Sequence, residues 1–309
     1  MLVSGSEDCT VKVWNLSSVA SGPPSQRATE VDSVVTMRTH TQSVLALAVF
    51  SSENYPDCLP GKSGAFASAG RDGALHLFQL PSIENDKPEP HTYEEYEGVK
   101  LHSIKDAHDD AVWDLHAHPL SNVLFSAGAD GVVRTWGVTS GMSTSEKLTL
   151  QGELRCATKT NTNGTGPNNQ GFLVPTSVQS MLTDPKTCVV GYTNGSIAQF
   201  DFAAERVIQL TRAIDVDTKG RGGQVNKVSL NYIVIVIIVV KLTALFIDLT
   251  ACVILKLTVH PTMPIAIAAH QDRKIRMYDM RAGKTNVDDK DPKLILIHDI
   301  NVSLFQWYR

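Results

Sequence analysis

The sequence carries no excess of either charge. Its 309 residues include 28 basic and 32 acidic side chains, a net of −4, so it offers no basic face with which to grip a nucleic-acid backbone. Cysteine is scarce as well. Cys9, Cys58, Cys156, Cys188 and Cys252 are scattered, odd in number and never form a C-x-x-C; they read as reduced thiols of a cytosolic protein, not as a disulfide frame or a zinc site. No signal peptide opens the chain, because Ser4, Glu7, Asp8 and Lys12 interrupt any apolar run. The N-x-S/T matches at Asn15, Asn163, Asn194 and Asn301 therefore carry no weight. Catalytic signatures are missing: there is no G-x-S-x-G and no ordered set of Ser, His and acid. Pro60-Gly61-Lys62-Ser63 ends like a phosphate-binding loop, but Pro56 stands where its first glycine should be and strands are expected on both sides. His102, His108, His116 and His118 crowd together without Cys or carboxylate partners at ligand spacing, which favours a structural role over a metal site. Residues 159–171 read as a Gly- and Asn-rich loop. Tyr93 and Tyr96, set among Glu89, Glu94, Glu95 and Glu97, read as a solvated loop open to phosphorylation. No cofactor and no metal is expected.

What is present is repetition. Five segments share one layout: SGSEDCTVKVW at 4–14, SAGRDGALHLF at 68–78, SAGADGVVRTW at 126–136, VGYTNGSIAQF at 190–200 and AAHQDRKIRMY at 268–278. Each runs from small residues through Asp or Asn to an aromatic six positions later: Asp8 to Trp14, Asp72 to Phe78, Asp130 to Trp136, Asn194 to Phe200 and Asp272 to Tyr278. From aromatic to aromatic the units lie 64, 58, 64 and 78 residues apart. Asp and Asn tolerate left-handed backbone angles and bond to their own backbone, so they make tight turns, and Gly73, Gly131 and Gly195 follow them. After the turn, residues alternate with period two, as in Thr10-Val11-Lys12-Val13-Trp14. An apolar strand precedes the second and third units, Val44–Phe50 and Ala111–Leu115. Repeated units of three or four short strands that cannot bury their faces alone predict an all-β fold, a radial β-propeller.

The third unit carries the full signature of a WD repeat: His108 before the inner strand, Ser126 in the next, Asp130 in the turn and Trp136 after it. In WD-repeat proteins these four types form a buried hydrogen-bond chain. The chemistry suits the role, since hydroxyl and imidazole both donate and accept, a carboxylate accepts and an indole N–H donates. The second unit has His40, Ser68 and Asp72 but ends in Phe78, which has no donor. The first has Ser4, Asp8 and Trp14 without an upstream histidine, and the last two keep only turn and aromatic.

The stretches AHDDAVWDLHAHP (107–119), LFSAGADGVVRTW (124–136) and HPTMPIAIAAHQDRKIRMYDMRAGK (260–284) resemble the propeller of the striatin family. The acidic loop PEPHTYEEYEGV (88–99) resembles an insertion of that family between its second and third blades. The resemblance spans residues 1–228 and 259–284 and implies a non-catalytic scaffold. Striatin-like proteins are regulatory subunits that bring protein phosphatase 2A together with germinal-centre kinases and a Mob-like adaptor. They bind calmodulin and caveolin through an N-terminal region to which nothing in this sequence corresponds. The expected blades are the end of a truncated first at 1–16, then 34–80, 98–138, 145–202 and 205–284, with a non-repeat tail at 285–309. That is about four and a half blades where the family has seven, an incomplete propeller. Partner contacts are expected on one rim, where Glu7, Arg71 and Gln271 precede the turn residues and Trp113 starts an inner strand; the competing role for Trp113 is packing between blades.

Residues 229–258 break the repeat. They are apolar except for Lys241, Asp248 and Lys256, and they interrupt the run from Gln224–Val228 to His260 that the family shows as continuous. Three readings compete: a membrane helix over 230–255, burdened by Lys241 and Asp248; an extra β-hairpin; and translated intron, which is preferred. Removing the segment would shorten the Phe200-to-Tyr278 spacing from 78 to 48 residues, a normal WD-repeat length. The expected protein is cytoplasmic, with peripheral membrane contact as an option. The alternatives are a WD-repeat protein anchored through 230–255 and a propeller hydrolase.

Overall fold

The computed structural model describes residues 1–16, 33–50, 64–81, 100–139, 147–157, 172–211, 257–259, 262–269, 274–281 and 295–301. Among them the chain forms nineteen β-strands and no helix. The strands assemble in chain order into five sheets. The first has three strands, β1 (Leu2–Gly5), β2 (Val11–Trp14) and β3 (Ser33–Met37). The second is β4 (Val44–Phe50), β5 (Ala65–Gly70), β6 (Leu75–Gln79) and β7 (Lys100–Ile104). The third is β8 (Val112–Ala117), β9 (Val123–Gly128), β10 (Val133–Val138) and β11 (Leu148–Leu154). The fourth is β12 (Pro175–Ser180), β13 (Thr187–Tyr192), β14 (Ile197–Asp201) and β15 (Arg206–Thr211). The fifth is β16 (Leu257–Val259), β17 (Ile265–Ala269), β18 (Lys274–Asp279) and β19 (Ile295–Asn301).

Each repeat signature spans the second and third strands of a four-stranded sheet, and β1 and β2 of the three-stranded first sheet. The fourth strand has no signature, so boundaries drawn from the repeat fall one strand early. Ser33–Met37, expected in the second blade, pairs with β2 of the first sheet. Lys100–Ile104 pairs with β6 and Arg206–Thr211 with β14. Ile295–Asn301, expected in a non-repeat tail, pairs with β18. These outer strands are half exposed where their side chains are described, as along β7 and β11, so burial imposes little pattern on their sequence.

The second strands show the opposite extreme. Every residue of β5 and β9 is buried, polar Ser68 and Ser126 included. Strands covered on both faces lose the apolar–polar alternation of half-exposed ones. Cα packing divides the chain into two compact units, Met1–Asp130 with Trp136–Leu150, and Gly131–Thr135 with Gln151–Arg309. In the first unit, Val11, Val13, Val35 and Met37 pack with Val44, Phe66 and Phe78, joining the first sheet to the second. Ala46, Ala67, Ala69 and Leu75 pack with Val112, Leu115 and Leu124, joining the second to the third. In the second unit, Met181, Val189 and Ile197 pack with Val259, Ala266 and Tyr278.

Two irregularities recur. The register shifts between Val44 and Ala46, between Val112 and Asp114, and between Pro175 and Ser177, so the first two strands of each of these sheets are joined by a bulge. A second shift falls beside the signature aromatic, between Val13 and Trp14, Leu77 and Phe78, Gln199 and Phe200, and Met277 and Tyr278. The anomalous segment expected at 229–258 lies outside the described residues up to 256; its last two residues, Leu257 and Thr258, belong to β16 and pair with Ala268 and Ile267. No helix among the described residues is long and apolar enough to cross a membrane.

Candidate functional site

The structure brings His108, Ser126, Asp130 and Trp136 into one buried chain. The Trp136 indole donates to Ser126 Oγ at 2.8 Å. Ser126 Oγ lies 2.7 Å from His108 Nε2, and His108 Nδ1 lies 3.0 and 3.1 Å from the two oxygens of Asp130. The direction of the chain follows from its ends. An indole only donates and a carboxylate only accepts, so Nδ1 carries the proton given to Asp130, and Ser126 Oγ joins the indole to Nε2. Gly128 makes room for the pair: a Cβ there would stand 2.1 Å from His108 Nδ1 and 2.4 Å from Asp130 Oδ1. Ser, His and Asp are thus ordered as in a nucleophile–base–acid set, within the hydrogen-bond chain that the WD signature predicts. Ser126, however, has no exposed surface and its oxygen already accepts the indole.

The second sheet builds a variant of this chain. His40 Nε2 lies 2.8 Å from Ser68 Oγ, and Nδ1 lies 3.1 Å from both oxygens of Asp72. Phe78 supplies no donor to Ser68 and instead stacks on Phe66, with ring centroids 5.1 Å apart. His76 fills the neighbouring space, 4.5 Å edge-on from His40 and 2.8 Å from Ser103 Oγ. Burial pushes the His76 imidazole down to about 4, assisted by charge on His40 and Lys100. For Asp72, burial acts to raise the carboxyl, but the Thr41 amide at 2.8 Å and the His40 ring outweigh it and hold the group below its ordinary value.

Elsewhere the chain is reduced. In the first sheet Trp14 donates to Ser4 Oγ at 2.8 Å, while Asp8 turns back on Thr10, accepting from its hydroxyl and its amide. Those bonds, the hydroxyl first, lower the Asp8 carboxyl. Asn194 accepts from the Ser196 amide. Gly73, Gly131 and Gly195 have positive φ after their turn residues, and Cys9 occupies the same position at φ 67°. Asp272 and Gln271 lie outside the described residues. The fourth sheet carries a polar cluster that the sequence did not signal: Gln209 donates to Gln199 and to the Met280 carbonyl, and Gln199 donates to Thr187.

Above the buried chains, backbone bonds seat three successive turns on one rim. Val44 N donates to Ser6 O at 3.0 Å, Arg71 N to Ser43 O at 2.9 Å, His108 N to Gly73 O at 3.0 Å and Ala129 N to Ala111 O at 2.7 Å. Glu7 and Arg71 are exposed there. Trp113 is 46% exposed, so it faces solvent and does not pack between sheets. It is the extra residue of the β8 bulge. Leu45 holds the same place in β4 and is 37% exposed, a surface residue that sequence reading missed. Among the described residues no group of three or more His, Cys, Asp or Glu could hold a metal ion. His118 accepts from the Leu120 amide and His116 stacks on Phe125. Cys156 and Cys188 are buried, and burial raises both thiols, which keeps them protonated and unreactive.

Antiparallel meanders of three or four strands, three of them built around a Trp–Ser–His–Asp chain or part of it, define a WD-repeat β-propeller. The WD domain, G-beta repeat family matches residues 1–15 and 98–137. Two solved propellers share the fold: the β-propeller domain of Cps50 (Swd1) from Myceliophteria thermophila, at TM-score 0.54 and 14% identity over 96% of this chain and 67% of that one, and U3-55K, at TM-score 0.53 and 15% identity over 97% and 63%. Similarity in sequence narrows the class. The chain is 30% identical to human striatin-3 over 285 residues, 29% to mouse striatin-3 and 27% to human striatin-4, in each case over 92% of its length. It spans 28% of striatin-3 and 29% of striatin-4. The chain is thus a WD-repeat protein similar in sequence to the striatins, and it spans under a third of their length.

Proposed function

We propose that this chain is the docking propeller of a non-catalytic, cytoplasmic signalling scaffold that helps to bring protein phosphatase 2A together with germinal-centre kinases and a Mob-like adaptor. The observation that carries the reading is where the reactive groups lie. Ser126, His108 and Asp130 are consumed in a buried chain that no substrate carbonyl reaches, whereas Trp113, Leu45 and Arg71 stand on a rim held by backbone bonds. Chemistry needs the first set accessible; docking needs the second, because tryptophan and arginine anchors on a rigid support dominate protein interfaces.

Co-purification from cells tests this. Full-length protein should retain the phosphatase, kinase and Mob-like components, and Trp113→Ala with Arg71→Ala should release at least one of them while leaving the melting curve in place. Complete retention by both folded variants would refute the rim as the docking surface.

A further inference from the structure

The rim carries more information than exposure alone. In β4 and β8 the first residue pairs normally, the second is extra and the third resumes the register. A bulge of this kind re-aims its extra side chain. In β12 the equivalent residue is Thr176, which is buried and donates to the Gly191 carbonyl. The bulge is therefore common to three sheets, and its exposed apolar occupants are particular to two neighbouring ones. Leu45 and Trp113 stand at matching positions on adjacent inner strands.

The surrounding charge is unbalanced. The loop before β8 exposes Asp106, Asp109 and Asp110 against Lys105, and the turn bonded to it adds Arg71. Two of these carboxylates, Asp109 and Asp110, lie within four residues of the exposed Trp113 along the chain. The Asp109 amide is drawn toward Asp130 and Asp110 caps the Ala111 amide, which fixes the loop beside the bulge. An apolar anchor point beside two exposed carboxylates fits a ligand of opposite charge with an apolar residue of its own.

We propose that Leu45 and Trp113 form the apolar seat of a docking site for a basic protein segment, in which lysine or arginine residues flank an aliphatic side chain. The aliphatic group packs on Leu45 and the indole, and the flanking cations meet Asp109 and Asp110. This deepens the scaffold reading and rests on it, since it specifies the chemistry of one partner at the same rim.

The test uses the full chain and two fluorescein-labelled peptides that share a central Leu-Ile, one flanked by lysines and one by glutamates, followed by anisotropy. The lysine peptide should bind, weaken as salt rises and exceed the glutamate peptide at least about tenfold, or about 1.4 kcal/mol. Trp113→Ala should lower affinity about tenfold or more, and Asp109→Asn with Asp110→Asn should remove most of the salt dependence, at an unchanged melting temperature. Equal binding of both peptides, or no effect of Trp113→Ala, would overturn the proposal. So would self-association that Trp113→Ala abolishes, because the occupant would then be a second copy. If the wild type still co-purifies with its phosphatase partners while the lysine peptide fails, the scaffold reading stands and this one falls; loss of both removes the scaffold reading as well.

Discussion

Ser126→Ala and Ser68→Ala should differ in cost, although both delete the same hydroxyl from the same place in a sheet. Ser126 Oγ serves two buried nitrogens, Trp136 Nε1 at 2.8 Å and His108 Nε2 at 2.7 Å. Ser68 Oγ serves His40 Nε2 alone among indole and imidazole groups, since Phe78 replaces the tryptophan. Depriving a buried polar group of its partner costs about 1–3 kcal/mol. Ser126→Ala should therefore cost roughly 2–6 kcal/mol and Ser68→Ala roughly 1–3. The difference belongs to the indole, which a cycle isolates. In a Trp136→Phe background, Ser126→Ala should fall to the Ser68→Ala value, with a coupling of about 1–3 kcal/mol. Urea denaturation followed by circular dichroism gives the four stabilities. Equal costs for the two serine variants, or additivity of Ser126→Ala and Trp136→Phe, would refute the view that the hydroxyl bridges both nitrogens.

Acidification should destabilise the second sheet through His76. Its folded ring binds a proton less tightly than the ordinary imidazole, about 4 against 6.5, so its contribution is complete above pH 6.5 and is lost as pH falls toward 4. The total is roughly 3 kcal/mol at about 1.4 kcal/mol per tenfold. His76→Gln, which can still bond to Ser103, should flatten the stability–pH profile in that window, and an unchanged slope would count against it. Cys9→Gly should raise stability by about 0.5–1 kcal/mol, because relief of left-handed strain exceeds the added freedom of the unfolded chain; a lower melting temperature would contradict the strain. Residues 229–258 should be absent from mature message. A cDNA read across that junction decides it, and deletion should leave a stable fifth sheet, with Lys227-Val228 taking the place of Leu257-Thr258 in β16.

The repeat was legible because two chemical demands recur at fixed spacing: a residue that closes a tight turn, and an aromatic that ends the following strand. Those demands reach only the two strands that flank the turn. Strands such as Ser33–Met37 and Lys100–Ile104 are half exposed and carry neither demand, so their sheet membership could not be read from the chain. The bulges were hidden for a different reason. Val44-Leu45-Ala46 and Val112-Trp113-Asp114 look like ordinary alternation, and only pairing with Gly70–Ala69 and Gly128–Ala127 shows that the middle residue is extra. Trp113 could accordingly be assigned to either surface or core by sequence. The Gln199–Gln209 pair was invisible because its members come from strands ten residues apart with no motif joining them.

The seat of His108 has a consequence for how damage spreads. Its amide is bonded to Gly73 O of the preceding sheet, and a Cβ at Gly73 would stand 2.4 Å from the His108 carbonyl oxygen. The histidine that opens the third sheet's internal chain is thus anchored in its neighbour's turn. A lesion at residue 73 should therefore be felt one blade downstream, at the His108 that contacts Asp130 and Ser126, as well as in its own turn. Stability in such an array is a property of couplings between adjacent units as much as of the units themselves. Opening of the second sheet would be felt on both sides, because Val44 N holds Ser6 O of the first sheet just as Gly73 O holds His108 N of the third, like a panel hinged at both edges.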